Sequence, residues 1–195
     1  MATQNLYFVA IIPPQNIREE ATVIKRDFAE HYNSHKALRV IPHITLKAPF
    51  KLYASAHTQL LNWFGEIPTS IDPFLVELKN FGAFANKDKP VIFINPVVND
   101  YLIQLQSTII HDFEKHYPQI RVSFLEHHFK PHMTVAYRDL ELDAYERAWE
   151  VYKDKEYEAA FEVSDFCLLQ HDSKQWNLIA SRKLKADASF IPKSF

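Results

Sequence analysis

One order of signals is written twice along this chain, and that repetition limits the folds open to it more than any other feature. The apolar run Tyr7-Phe8-Val9-Ala10-Ile11-Ile12 is followed by Asp27-Phe28-Ala29-Glu30-His31-Tyr32 and then by Pro42-His43-Ile44-Thr45. The same order returns as Pro90-Val91-Ile92-Phe93-Ile94-Asn95, Asp112-Phe113-Glu114-Lys115-His116-Tyr117 and Pro131-His132-Met133-Thr134. A repeat of this kind implies duplication of one structural unit.

The two Pro-His-x-Thr segments carry the chemistry. In an extended backbone, side chains two apart share a face, so each segment offers an imidazole beside a hydroxyl while Ile44 or Met133 turns toward a core. A lone His-x-Thr arises readily among ten histidines. The doubled, proline-led form has a composition-based chance well below about 1 in 1,000.

Periodicity and turn residues predict the elements between these motifs. A buried strand is expected over 7–12 and, after Pro13-Pro14, a helix over 16–32 that Asn16 could cap. A strand over 39–46 carries the first motif and is ended or bent by Pro49. A short helix over 57–64 and strands over 74–81 and 91–97 follow, then a long helix over 99–117. Strands over 121–124 and 130–136 would pair around the second motif. A helix over 143–152 precedes a closing hairpin of 157–170 with 176–183. No linker divides the halves, so residues 1–195 read as a single domain of two interlocked lobes, with repeat units of about 7–81 and 91–183.

Composition narrows the function. The hydrophobic content of 47%, with fifteen Phe and nine Tyr, argues for a packed core and against disorder. No apolar stretch approaches the roughly 20 residues that span a bilayer, and the 6–12 run is too short and lacks the basic leader of a signal peptide, so no membrane partner is expected. Cys167 is the one cysteine, which excludes an intramolecular disulfide, suits a reducing cytoplasm and reads as a packing residue. A net charge of -2 lacks the basic excess of a protein that tracks DNA or long RNA. With only Gly65 and Gly82 present, neither a Walker loop nor a dinucleotide fingerprint can be written, so side chains must hold any phosphate.

At these residues the chain resembles the 2H phosphoesterase superfamily, which includes bacterial 2′-5′ RNA ligase-like proteins and 2′,3′-cyclic phosphodiesterases. The resemblance covers nearly the whole chain and rests on the paired motifs, their separation, the opening strand with its Pro-Pro and the closing Trp-containing strand. It implies an α+β, bilobal, pseudo-twofold fold of two mainly antiparallel sheets flanked by helices, with His43 and His132 facing each other across a central cleft. Lys47 stands where family members commonly carry arginine, which implies a phosphate contact. After the second motif, Val135-Ala136-Tyr137-Arg138 stands where many members have Leu-Ala-Arg, so either Tyr137 or Arg138 would meet the ligand. Residues 46–50 look closer to a less characterised bacterial branch than to the RNA ligases proper.

The expected chemistry is hydrolysis of a 2′,3′-cyclic phosphate. One neutral and one protonated imidazole supply base and acid without a metal or other cofactor, and Thr45 and Thr134 donate to the non-bridging oxygens. By family analogy the product is a 2′-phosphate, and the family's ligase activity would join RNA ends through a 2′-5′ bond. The expected partner is a small nucleotide or an RNA terminus bearing a cyclic phosphate, a role in RNA processing; a monomer is compatible with this. Phe8, Phe50, Tyr137 and Trp176 are candidates for base stacking. His127 and His128 near His132 raise a metal site, but no carboxylate or cysteine stands at a matching spacing. The alternative is a catalytically silent module that senses nucleotides in the same cleft.

Overall fold

The computed structural model describes residues 3–185; residues 1, 2 and 186–195, which the expected domain includes, lie outside the described residues. The first apolar run forms strand β1 (Gln4–Ile11), and Pro13-Pro14 separates it from helix α1 (Gln15–Tyr32). The first motif opens β2 (Ile44–Tyr53), which leads through α2 (His57–Glu66) to β3 (Phe74–Phe84). The second half runs β4 (Val91–Pro96), α3 (Asp100–His116), α4 (Phe124–His127), β5 (Met133–Ala136) and α5 (Leu142–Tyr152). Strands β6 (Glu158–Val163), β7 (Asp165–His171) and β8 (Trp176–Lys183) close it.

These strands make two antiparallel four-stranded sheets, ordered β2-β1-β7-β8 and β5-β4-β3-β6. The halves exchange material. The first half gives β3 to the sheet of the second motif, and the second half gives β7 and β8 to the sheet of the first. The long helices cross in the same sense, α1 packing on β5 and α3 on β2. In each sheet the strand carrying the motif lies at an edge.

The repeated Asp-Phe-x-x-His-Tyr segment is a docking device at the end of each long helix. Phe28 and Phe113 are fully buried, each worth about 2–3 kcal/mol of apolar burial. One residue earlier, Asp27 accepts a hydrogen bond from the Tyr152 hydroxyl at 2.6 Å and Asp112 accepts one from the Trp63 indole at 2.8 Å. His31 and His116 lie in the last turn of their helices beside the same aspartates, where a cation also complements the helix dipole.

Four local expectations are corrected. Asn16 lies inside α1, whose N-cap is Pro14 and has no side-chain cap. Pro49 does not end β2, because an edge strand tolerates the missing N–H; the register with β1 shifts around it instead. Residues 121–124 form no strand: Ser123 and Glu126 close a capping box that starts α4. The single strand expected over 157–170 is two strands in different sheets, joined at Ser164. Among the described residues, no helix is long and apolar enough to cross a membrane.

Candidate active site

Pro42 and Pro131 bias the residue before each of them toward an extended backbone, and the motif strands start directly after the two histidines. Ile44 and Met133 enter the core with no exposed surface, and their neighbours His43, Thr45, His132 and Thr134 line one cleft of about 270 Å³. Phe8, Tyr137, Arg138 and Trp176 line it too. The expected facing of the two motifs is thus what the exchanged strands and helices build.

The two imidazoles are held alike. His43 Nδ1 donates to the Ile41 carbonyl at 2.7 Å and His132 Nδ1 donates to the Lys130 carbonyl at 2.8 Å. A carbonyl oxygen only accepts, so Nδ1 carries the proton and Nε2 is left for chemistry. Aromatic rings back both. Phe8 lies 4.9 Å from the His43 ring and meets Trp176 edge-on at 4.5 Å. Phe93 and Phe84 lie 5.6 and 5.2 Å from the His132 ring, so β4 and β3 repeat what β1 and β8 do in the other sheet.

Their electrostatics differ. Burial pushes the His43 pKa down to about 4, the repulsion of Lys25 and His132 adding to it and the Ile41 carbonyl opposing. Burial also lowers His132 against the pull of the Lys130 carbonyl, without a neighbouring cation adding to it. Both imidazoles are therefore biased toward the neutral form.

Lys25 was not singled out by sequence. It lies on the inner face of α1 with 2% of its surface exposed, donates to the Val40 carbonyl at 2.8 Å, and lines the cleft. Burial brings its pKa down to about 8, which leaves it mostly cationic at neutral pH. A lysine at a helical core position was the available signal: Lys25 follows Ile17 and Ala21 and precedes Phe28 on the buried stripe.

Lys47 and Phe50 do not reach the cleft. A register shift between the Ala10–Thr45 and Val9–Lys47 pairs places Lys47 opposite core-facing Val9, so strict alternation fails one residue after Leu46. There its ammonium meets the Glu126 carboxylate at 2.7 Å and lies 4.6 Å from the Phe113 ring centroid. Phe50 pairs with Tyr7 and packs on Phe113 in the core. Glu126 feels burial upward, but Lys47 and Ser123 outweigh it and hold the carboxyl below its ordinary value.

Tyr137 and Arg138 both line the cleft because the strand stops at Ala136. Arg138 takes a left-handed φ of 63°, and its guanidinium lies 5.1 Å from the Tyr137 ring centroid. Burial, with Asp139 adding and Arg138 opposing, lifts the Tyr137 phenol above its ordinary pKa, so it remains a donor at neutral pH.

Known proteins resemble this chain in sequence and in fold. A Bacillus pumilus protein provisionally named phosphoesterase is 25% identical over 130 residues, 67% of this chain and 68% of its own. A Geobacillus kaustophilus protein of the same provisional name is 28% identical over 134 residues, 69% of each chain. Escherichia coli LigT complexed with 3′-AMP superposes with a TM-score of 0.67 at 19% identity, covering 94% of this chain and all of LigT. A Thermus thermophilus protein superposes at 0.60 with 16% identity, covering 92% and 97%. These two share the fold. The model of the 2′-5′ RNA ligase superfamily matches residues 13–175, which contain both motifs and every strand but β1 and β8, and the chain belongs to that superfamily, a group of 2H phosphoesterases.

Proposed function

We propose that this protein hydrolyses the 2′,3′-cyclic phosphate of a nucleotide or RNA end to a 2′-phosphate, with His43 as general base and His132 as general acid. The observation that carries this reading is the pair of motif imidazoles, each tied at Nδ1 to a carbonyl two residues earlier and each lining the same cleft. Two such groups supply both proton transfers of an in-line displacement.

An entering phosphate anion raises the pKa of both imidazoles. His132 lacks the cationic neighbour that opposes protonation of His43, so it takes the proton first. Neutral His43 then accepts a proton from water at Nε2 as the water oxygen bonds to phosphorus. The bond from phosphorus to the 3′ oxygen breaks, and His132 gives that oxygen its proton. Thr45 and Thr134 donate to the non-bridging oxygens, and the Lys25 ammonium offsets their charge. With the 5′ hydroxyl of an RNA end in place of water as nucleophile, the same groups would join RNA ends through a 2′-5′ bond. That LigT has been solved with 3′-AMP, ATP and NADP+ supports a nucleotide as ligand.

The test is turnover of the four nucleoside 2′,3′-cyclic monophosphates and a short RNA with a cyclic end, in EDTA, with product position read by phosphorus NMR. His43→Ala and His132→Ala should each lower turnover by about 10²–10⁴-fold. A wild-type protein that binds nucleotides but turns over none of these substrates would sink the reading in favour of a sensor.

A further inference from the structure

A second cavity, of about 590 Å³, lies between α1 and residues 38–42. That is room for a nucleotide. Three arginines line it, Arg18 and Arg26 from α1 and Arg39 from the turn before the first motif. Among the described residues none of the three has a carboxylate within ion-pair distance, and the Nε of Arg18 is buried with no hydrogen-bond partner. Glu19, the one carboxylate on the wall, accepts from Gln15 Nε2 at 2.8 Å. Val40 and Trp176 line this cavity and the catalytic cleft alike, so the two lie side by side.

Three guanidinium groups without anionic partners, one of them with a buried unsatisfied donor, form an incomplete arrangement that an anion completes. The exposed side chains of Val23 and Leu38 and the Trp176 ring supply apolar surface beside that charge. We propose that this groove is a second phosphate subsite, which holds a further phosphate of the same substrate molecule while its cyclic phosphate sits between His43 and His132. The proposal rests on the hydrolase reading above and deepens it: the preferred substrate carries a second phosphate, which a nucleoside 2′,3′-cyclic monophosphate lacks.

The experiment compares three substrates: adenosine 2′,3′-cyclic phosphate, its 5′-phosphorylated form, and the 3′-5′-linked adenosine dinucleotide ending in a cyclic phosphate. Arg26 and Arg39 are exposed, so Arg26→Gln/Arg39→Gln leaves the fold intact; Arg18→Gln and Arg18→Lys form a separate pair. Wild type should favour a two-phosphate substrate, and the glutamine variants should lose about 10- to 100-fold in kcat/KM on it with cyclic adenosine phosphate changed less than about twofold. Arg18→Lys should restore part of the loss. Preference for the dinucleotide marks an RNA end as the source of the second phosphate; preference for the 5′-phosphorylated form marks a nucleotide. An equal loss on all three substrates, or no loss on any, overturns the proposal. If wild type turns over none of them, the hydrolase reading fails and the groove is judged by calorimetric binding. The 5′-phosphorylated dinucleotide ending in a 2′-phosphate should then bind the double variant about tenfold more weakly than wild type, with adenosine 2′-phosphate unchanged; equal binding of the dinucleotide by both proteins overturns the groove as well.

Discussion

Gly82 of β3 stands opposite Phe93 of β4, and a methyl group at position 82 would overlap the Phe93 ring. Phe93 in turn packs against His132. Glycine is thus the residue that lets this ring lie flat on β3 and fixes where the second imidazole sits.

Gly82→Ala should therefore push Phe93 toward His132. Overpacking of this kind costs about 1–3 kcal/mol. A lowered urea midpoint together with turnover reduced by at least about tenfold is the expected result; full turnover would show that Phe93 moves away from the cleft instead.

Stability should fall with acid in a window set by His43. Its pKa is about 4 folded and near 6.5 unfolded, so between those values the unfolded chain binds the extra proton and ΔG of unfolding decreases as pH drops. The full effect is at most about 3 kcal/mol. Urea titrations at pH 7 and pH 5 read it, and His43→Asn should flatten the dependence. Activity has its own signature: kcat/KM, which reports the empty cleft, should peak below neutrality, and kcat at higher pH, because bound phosphate raises both imidazoles.

Lys25→Met should raise the His43 pKa toward its ordinary value, since one source of repulsion is gone. Imidazole proton shifts in an NMR titration follow this directly. Loss of the cation should also raise KM for a cyclic nucleotide by about tenfold. An unmoved His43 titration would assign its low pKa to burial and His132 without Lys25.

Breaking the Lys47–Glu126 pair should cost stability and not specificity. Glu126 accepts from Lys47 Nζ and Ala48 N through one oxygen and from Ser123 N and Oγ through the other. Glu126→Ala leaves a lysine with 2% exposure uncompensated, a loss of about 3–5 kcal/mol. KM for every substrate of the folded protein should be unchanged.

The legible part of this molecule was the part governed by repetition. The doubled motifs located both histidines, and apolar spacing located the long helices, because each of these signals survives without knowledge of neighbours. Lys47 was misplaced because a one-residue register shift reverses the inward and outward faces of a strand, and nothing in Leu46-Lys47-Ala48 announces it. The split at Ser164 did leave a mark: Ser164-Asp165 interrupts the alternation of Phe161-Glu162-Val163, and the continuous run Phe166–Leu169 beyond it belongs to the other sheet. Ser123-x-x-Glu126 did announce a helix start inside the segment expected as a strand. Lys25 interrupts the apolar stripe of α1 in plain sight, but only tertiary packing of α1 on β5 shows which residues it meets, because they lie beyond it in sequence.

Strand exchange also has a consequence for the nascent chain. As the polypeptide leaves the ribosome, β1 emerges first, yet its inner edge is the partner of β7 and stays unpaired until His171 has been made. The first sheet therefore cannot close during synthesis of the first half: β1 can pair with β2, but its other edge waits for contacts of very long sequence separation. Until then an apolar strand with an open edge is displayed, a template for pairing with other chains. Ribosomes stalled beyond β3 but short of β7 should accordingly hold chains that recruit holdase chaperones, while those stalled far enough past residue 185 for it to clear the exit tunnel should not.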